Sequence, residues 1–174
     1  MDKTGKTALL ACIALCLTTG AIGSAAAGLA PDWYASLSKP AWNPPDRLFA
    51  PVWTALYLLM AVALWLVWKT ESVPARKTAL VLFGVQLVLN AGWPLIFFGW
   101  RSPGVALAEL LILWLAVAAT LAVFAKQSRT AAWLLAPYLA WLSFAGALNF
   151  AIWRLNPGNA GPGATAAETT VAPR

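Results

Sequence analysis

The run ALVLFGVQLVLNAGWPLIFFGW, residues Ala79–Trp100, contains no Asp, Glu, Lys or Arg. A helix crosses the hydrocarbon of a bilayer with about 20 apolar residues, so this run has the length of a membrane span. Four other stretches lack Lys, Arg and Asp and are of similar length: Thr7–Ala30, Phe49–Trp68, Val105–Ala125 and Ala131–Trp153. None alternates polar and apolar residues as the strand of a membrane barrel does. The sequence therefore predicts an all-α integral membrane protein: a single bundle of five transmembrane helices with a structured first loop.

The composition agrees with this class of protein. Hydrophobic residues make up 61% of the 174 residues and charged residues 10%, and the mean hydropathy is +0.71. A soluble domain carries about 25% charged residues.

The span boundaries follow from these runs. We expect helices at about 7–30, 46–69, 77–100, 104–126 and 130–154 in one domain, residues 1–156, with a loop over 31–45 that covers the bundle. Short links after that loop predict that sequential helices are antiparallel neighbours. From Pro157 onward Gly, Ala, Thr and Pro predominate, which predicts a disordered tail over 157–174.

The first stretch has an alternative interpretation. Lys3 and Lys6, an apolar run and the small residues at 24–27 also describe a cleavable signal peptide. The apolar run is longer than the usual signal core of about 7–15 residues, which favours a retained span.

The positive charges are divided between the two ends of the bundle. Twelve Lys and Arg residues give a net charge of +6. One end, with the N-terminus, carries Lys3, Lys6, Lys69, Arg76, Lys77, Lys126 and Arg129; the other carries Lys39, Arg47, Arg101, Arg154 and Arg174. The bias favours a cytoplasmic N-terminus and leaves inner and outer bacterial membranes both open. No basic stripe or motif indicates nucleic-acid binding.

The chain offers little for acid–base or metal chemistry. It contains no histidine, the commonest general base and metal ligand. Cys12 and Cys16 lie one turn apart in the first span, where cysteine commonly packs as a small apolar residue. Glu109 lies near the start of the fourth span, where the helix dipole stabilises a negative charge. We assign no metal site, require no cofactor and assign no catalytic residue.

The first loop is rich in aromatic residues and proline. Residues 33–53 hold Trp33, Trp42 and Trp53 together with four prolines. Prolines fix the backbone and indoles supply stiff contact area. This combination predicts a rigid cover over a flat apolar ligand.

Three spans carry polar and aromatic residues at helical spacing. The stripes are Trp53, Tyr57 and Met60 in the second span, Gln86, Asn90, Trp93 and Phe97 in the third, and Trp141, Ala145 and Asn149 in the fifth. Such stripes are unsuited to lipid and are expected to face the interior. Together they predict an aromatic-walled cavity with a few orienting polar groups. The alternative, of equal weight, is that the amides only hydrogen-bond helices to one another.

Several ordered blocks resemble the translocator protein family, also called tryptophan-rich sensory proteins or peripheral benzodiazepine receptors. They are WYASLSKPAWNPP and PVWTALYLLM in residues 33–60, QLVLNAGWPLIFFG at 86–99, Glu109, and PYLAWLSFAGALN at 137–149. The resemblance implies a porphyrin such as protoporphyrin IX as ligand, other flat apolar molecules including synthetic drugs, a lipid bilayer and a homodimer. The ligand-binding residues that the stripes and the resemblance together indicate are Trp42, Trp53, Tyr57, Gln86, Asn90, Trp93, Trp141, Ala145 and Asn149.

The resemblance leaves three functions to weigh. The first is porphyrin binding for tetrapyrrole sensing, transport or homeostasis. The second is light-dependent porphyrin degradation, in which Trp53 and Trp141 would take part. The third is a dimeric scaffold in which Gly84 lets two third spans approach closely. Sterol binding is disfavoured because Phe150 occupies the place of the tyrosine in the animal sterol pattern.

Overall fold

The computed structural model describes residues 3–70 and 73–157, so the predicted tail beyond Pro157 lies outside the described residues. The helices are α1 Lys3–Ala27, α2 Pro31–Ser36, α3 Phe49–Trp68, α4 Val73–Pro94, α5 Pro103–Gln127 and α6 Arg129–Leu155. A 3-10 turn, Asp46–Leu48, leads into α3, and a π-helical segment, Leu95–Gly99, continues α4. Five helices (all but α2) are long and apolar enough to cross a membrane, which confirms the predicted fold class.

The five long helices form a closed ring in the order α1, α3, α6, α5, α4. Extensive contacts join α1 to α3 and α4, α4 to α5, α5 to α6, and α6 to α3, whereas α3 and α4 touch only slightly. The prediction that sequential helices are neighbours is therefore wrong for α3 and α4, because α1 lies between them. Their four-residue link reaches about 13 Å, more than the separation of adjacent helices, and so does not enforce contact.

Helix α1 is packed into this ring. Cys16 is fully buried and Cys12 nearly so, as the packing interpretation of the two thiols expects. A Cβ at Gly20 would lie 2.6 Å from Tyr57 Cε2, so glycine at this position lets Tyr57 lie directly against α1. These contacts join α1 to the Tyr57 face of α3.

The end of the ring that carries the N-terminus is closed by packing and hydrogen bonds. Phe83 and Phe124 stack at 5.9 Å in the core. The hydroxyl of Thr70 donates to Gln127 Oε1 at 2.9 Å, and Gln127 Nε2 donates to the Ala75 carbonyl at 2.9 Å. The stripe residues of α4, from Gln86 to Phe97, lie nearer the first loop than these contacts do.

The loop-side end of α4 departs from regular helix. The ring of Pro94 has no N–H to donate, and the following segment is π-helical, with the N–H of Trp100 donating to the Leu95 carbonyl at 3.0 Å. Arg101 then adopts a positive φ of 51° and reverses the chain. This wider segment presents Phe97 and Phe98 to the first loop.

Candidate functional site

The first loop, which we call the cover (residues 31–48), is partly helical. The sequence predicted a loop over 31–45, but the structure forms α2 at its start and the 3-10 turn at its end. Pro31 at the first helical position and Asp32 in the first turn favour a helix start. The cover is therefore stiffened by secondary structure as well as by proline.

The first half of the cover is anchored on the π-helical segment. Trp33 packs edge-to-face on Phe97 at 5.7 Å and Tyr34 on Phe98 at 5.5 Å. Leu37 is buried in the same apolar cluster. Trp33 therefore helps to anchor the cover and lies away from the stripes of α3 and α6.

Asn156, just after α6, clamps the cover through its amide group. The N–H of Ser38 donates to Asn156 Oδ1 at 2.9 Å, and Asn156 Nδ2 donates to the Ser38 carbonyl at 2.9 Å and to the Ile152 carbonyl at 2.7 Å. This pair of reciprocal bonds fixes the cover at one point of its backbone.

Lys39, next to Ser38, binds the C-terminal part of α2. Its Nζ donates to the Tyr34 carbonyl at 2.5 Å and lies 4.4 Å from the centre of the Tyr34 ring. Burial, and to a lesser degree the negative charge of Asp46, raises the pKa of the Tyr34 hydroxyl. Tyr34 therefore stays neutral at physiological pH.

The second half of the cover ends in a continuous series of ring contacts, which we call the aromatic row. Trp42 is 50% exposed and packs edge-to-face on Phe144 at 5.8 Å. Phe144 contacts Trp141 at 5.3 Å, and Trp141 contacts Trp53 at 6.5 Å. The row leads from an exposed indole on the cover to the interior of the ring.

Below the row, three buried polar side chains form what we call the floor: Tyr57, Asn90 and Tyr138. The Tyr57 hydroxyl donates to Asn90 Oδ1, and Asn90 Nδ2 donates to the Tyr138 hydroxyl at 2.7 Å. Trp53 stacks on Tyr57 at 5.6 Å and meets Tyr138 edge-on at 6.2 Å. The floor joins α3, α4 and α6 across the ring and ends the aromatic row.

Two predicted site residues, Trp93 and Asn149, are hydrogen-bonded to each other. Trp93 Nε1 donates to Asn149 Oδ1 at 3.1 Å, and Asn149 Nδ2 donates to the Pro103 carbonyl at 2.8 Å. Trp93 also stacks on Phe97 at 4.9 Å. The structure thus places this pair beside the anchored half of the cover.

The remaining predicted residues take different positions. Ala145 is partly exposed on α6, one turn beyond Trp141. Gln86 is 1% exposed, one turn below Asn90 on α4 and so beneath the floor. Neither polar atom of Gln86 has a hydrogen-bond partner among the described residues, and the same holds for the buried Trp141 Nε1.

These contacts bear on the two interpretations of the amides. Asn90 and Asn149 hydrogen-bond between helices, as the alternative interpretation expected. The indole N–H of Trp141 is a buried donor within the aromatic row that has no partner among the described residues. A ligand in the row would therefore meet aromatic faces and this N–H.

Sequence reasoning missed three residues of the site. Phe144 follows Trp141 by three residues and Phe49, 6.0 Å from Trp141, precedes Trp53 by four. Both spacings place them on the same helix faces as the predicted tryptophans, and extending the stripes would have found them. Asn156 carried no such signal, because a polar residue after a helix is ordinary.

Glu109 does not take the predicted position at the helix dipole. It lies in the second turn of α5, whereas the dipole acts within the first. Its carboxyl oxygens are buried without a hydrogen-bond partner among the described residues, at the α4–α5 contact beside Gly92. Within residues 3–70 and 73–157 no three Cys, Asp or Glu side chains gather as a metal site would require.

Comparison with known proteins agrees with this architecture. A family model described as the TspO/MBR family matches residues 12–154. The chain is similar to the tryptophan-rich protein TspO of Chlorobaculum tepidum, with 46% identity over 154 residues, 86% of this chain and 96% of that protein.

Two further relatives come from distant organisms. The translocator protein of Homo sapiens is 47% identical over 128 residues, 72% of this chain and 76% of that protein. The tryptophan-rich sensory protein of Cereibacter sphaeroides is 41% identical over 140 residues, 80% of this chain and 83% of that protein. The chain is therefore an integral multi-pass membrane protein that belongs to the TspO/MBR family.

Proposed function

We propose that this protein binds porphyrin-like tetrapyrroles between the cover and the floor, for tetrapyrrole sensing, transport or homeostasis. The observation that carries the proposal is the aromatic row, whose rings follow one another from the exposed Trp42 to the floor. A flat macrocycle stacks favourably on such faces. The name of one relative, the tryptophan-rich sensory protein of Cereibacter sphaeroides, supports a role in sensing.

The polar groups near the row suit a ligand with an acidic edge. Trp141 Nε1 offers a hydrogen-bond donor inside the row. Arg47, exposed in the turn that ends the cover, offers a positive charge two residues before Phe49, whose ring lies 6.0 Å from that of Trp141. A porphyrin carries carboxylates at one edge, so its apolar face and acidic edge match the two parts of the site.

Binding requires the cover to move, because the rings of the row touch one another. Trp42 and Phe144 must separate to admit a macrocycle. The clamp at Ser38 and the anchor at Trp33 hold the first half of the cover, so the movement belongs to residues 40–48. Trp42 acts in this scheme as the last contact to close.

The test is protoporphyrin IX binding to purified protein, followed by quenching of tryptophan fluorescence. Trp53→Ala and Trp141→Ala are each expected to weaken binding about tenfold, since stacking on one aromatic ring contributes about 1–3 kcal/mol. Trp133→Ala is the matched control, because Trp133 is 76% exposed near the opposite end of α6. Equal affinities in all three variants and the wild type would exclude the row as the binding site.

Light-dependent degradation of the bound porphyrin is a second candidate function. It is favoured by the 6.5 Å contact of Trp53 with Trp141, which places two oxidisable indoles at one point. Illumination under dioxygen should convert porphyrin to a distinct product at a rate that falls in Trp53→Phe and Trp141→Phe but not in Trp133→Phe. Bleaching at the same rate in all of them would argue for a binding protein without this activity.

A further inference from the structure

The side chain of Gln86 poses a problem that the ligand site does not solve. It is 1% exposed, and neither Nε2 nor Oε1 has a partner among the described residues. Buried polar groups in proteins are almost always hydrogen-bonded, to protein or to ordered water. A primary amide left without bonds inside a membrane bundle is costly.

A ligand entering from the cover does not reach Gln86. Helix α4 runs toward the cover, so Gln86 lies one turn farther from it than Asn90. Asn90 is held by both tyrosines of the floor, which closes the interior above Gln86. The partner of Gln86 must therefore come from below the floor.

The floor itself has hydrogen-bonding capacity to spare. Asn90 Nδ2 carries two hydrogens and directs one to Tyr138. The Tyr138 hydroxyl accepts that bond, and its own hydrogen has no acceptor among the described contacts, although the residue is fully buried. Two donors on the floor, one on Asn90 and one on Tyr138, therefore have no acceptor among the described contacts. One helical turn away along α4, the Gln86 amide has no partner there either.

The spacing and the opposite wall suit one water molecule. The four residues from Gln86 to Asn90 rise about 6 Å along the helix, a distance that two hydrogen bonds of about 3 Å span end to end. The antiparallel register that pairs Tyr57 with Asn90 places Ala61 of α3 at the level of Gln86. Ala61 is fully buried, and its side chain ends at Cβ.

We propose that Gln86, Asn90 and Tyr138 form a buried water-binding site beneath the floor, in which one water molecule bridges the Gln86 amide to the floor. The water accepts hydrogen bonds from both Tyr138 and Asn90 and donates one to Gln86 Oε1. It fixes the direction of the Tyr138 hydroxyl from below, so Gln86 is a positioning residue for the floor. The site does not depend on porphyrin binding.

The direct test uses the two glutamines of the chain, Gln86 and Gln127. Protein labelled with ¹⁵N in glutamine side chains gives two amide signals, and the one lost in Gln86→Met belongs to Gln86. The wild-type Gln86 amide should show a dipolar cross-peak to a long-lived water. Gln127 is the internal control, because its amide is hydrogen-bonded to protein groups, the Ala75 carbonyl and the Thr70 hydroxyl. A Gln86 signal with no cross-peak to water overturns the proposal.

Stability supplies an independent test through the sign of the change. If the Gln86 amide has no partner, Gln86→Met should raise the melting temperature. If the amide holds the bridging water, Gln86→Met leaves the floor donors without their acceptor and should lower the melting temperature, on the order of 3 °C. Leu87→Met is the matched control for introducing methionine into this core. The fall should be smaller when Gln86→Met is made in Tyr138→Phe. A rise, or an equal fall in both backgrounds, overturns the bridge.

Discussion

Gly20 is the residue on which the position of Tyr57, and so of the floor, depends most directly. A Cβ there would lie 2.6 Å from Tyr57 Cε2 and 2.8 Å from Cδ2. Such distances require the tyrosine ring to shift away from α1. The same shift moves its hydroxyl relative to Asn90.

We expect Gly20→Ala to destabilise the protein by about 1–3 kcal/mol, the usual cost of overpacking. Gly92→Ala is the control, because its Cβ would meet Glu109 Oε1 at 3.9 Å, an ordinary contact, and the gain in helix propensity is the same. Thermal unfolding in one detergent compares the two. A Gly20→Ala protein as stable as Gly92→Ala would show that the ring has room to move.

For single residues, the sequence predicted which side chains face the interior better than it predicted which side chains they contact. The stripes correctly placed Trp53, Tyr57, Asn90 and Trp141 on interior faces, because spacing along one helix decides which residues share a face. The stripes did not predict that Asn149 hydrogen-bonds to Trp93 and to the Pro103 carbonyl, because contacts between helices depend on how the helices are arranged. Gln86 and Asn90 share a stripe, yet Asn90 is part of the floor and Gln86 lies beneath it.

Among the elements, the cover combines a first half held by Asn156 and Phe97 with a second half whose Trp42 packs on Phe144. The clamp from Asn156 joins residues 118 positions apart in the chain. Its two bonds to Ser38 hold the backbone just before the segment that carries Trp42. Loosening this clamp should release the cover without disturbing the ring.

Asn156→Ala is expected to speed tryptic cleavage after Arg47 about tenfold, since two hydrogen bonds to the backbone contribute about 1–3 kcal/mol. Asn156→Asp keeps the acceptor for the Ser38 N–H but loses the donors, and should fall between. Limited proteolysis with mass spectrometry measures the rate. Unchanged cleavage in Asn156→Ala would mean that the aromatic anchor alone holds the cover.

The elements themselves were predicted unevenly. The five spans follow from hydropathy, which identifies a long apolar run whatever its surroundings. Helix α2 was missed although Pro31 and Asp32 form a recognisable helix start. The π-helical segment follows a proline that marks a break in the helix, but the sequence does not say what form the break takes.

For the whole molecule, the arrangement of the charges predicts an orientation. Among the described residues, the end with the N-terminus carries seven Lys and Arg and the cover end carries Lys39, Arg47, Arg101 and Arg154. The positive-inside rule then places the N-terminus in the cytoplasm and the cover on the other side.

Single cysteines introduced at Lys126 and at Arg101, in a protein with Cys12 and Cys16 replaced by alanine, test this orientation. A membrane-impermeant maleimide added to intact cells should label the Arg101→Cys variant and not Lys126→Cys, with both labelled after lysis. Labelling of Lys126→Cys alone would invert the topology.

The order of the ring could not be read from the sequence. Hydropathy identifies spans but does not name their neighbours, and the short link between α3 and α4 suggested a contact that α1 occupies instead. Ring order depends on side-chain fit between faces, such as Gly20 against Tyr57. Such fits are pairwise properties of positions distant in the chain.

The ring order also has a consequence for how the protein is made. Helix α6 closes the ring against α3 and brings Tyr138 to Asn90, yet it leaves the ribosome after the four other spans of the ring. Until α6 inserts, the amide of Asn90 lacks one of its two tyrosine partners inside the lipid. Completion of the floor therefore coincides with insertion of α6, and a chain stalled before α6 carries Asn90 Nδ2 without its tyrosine partner in the bilayer.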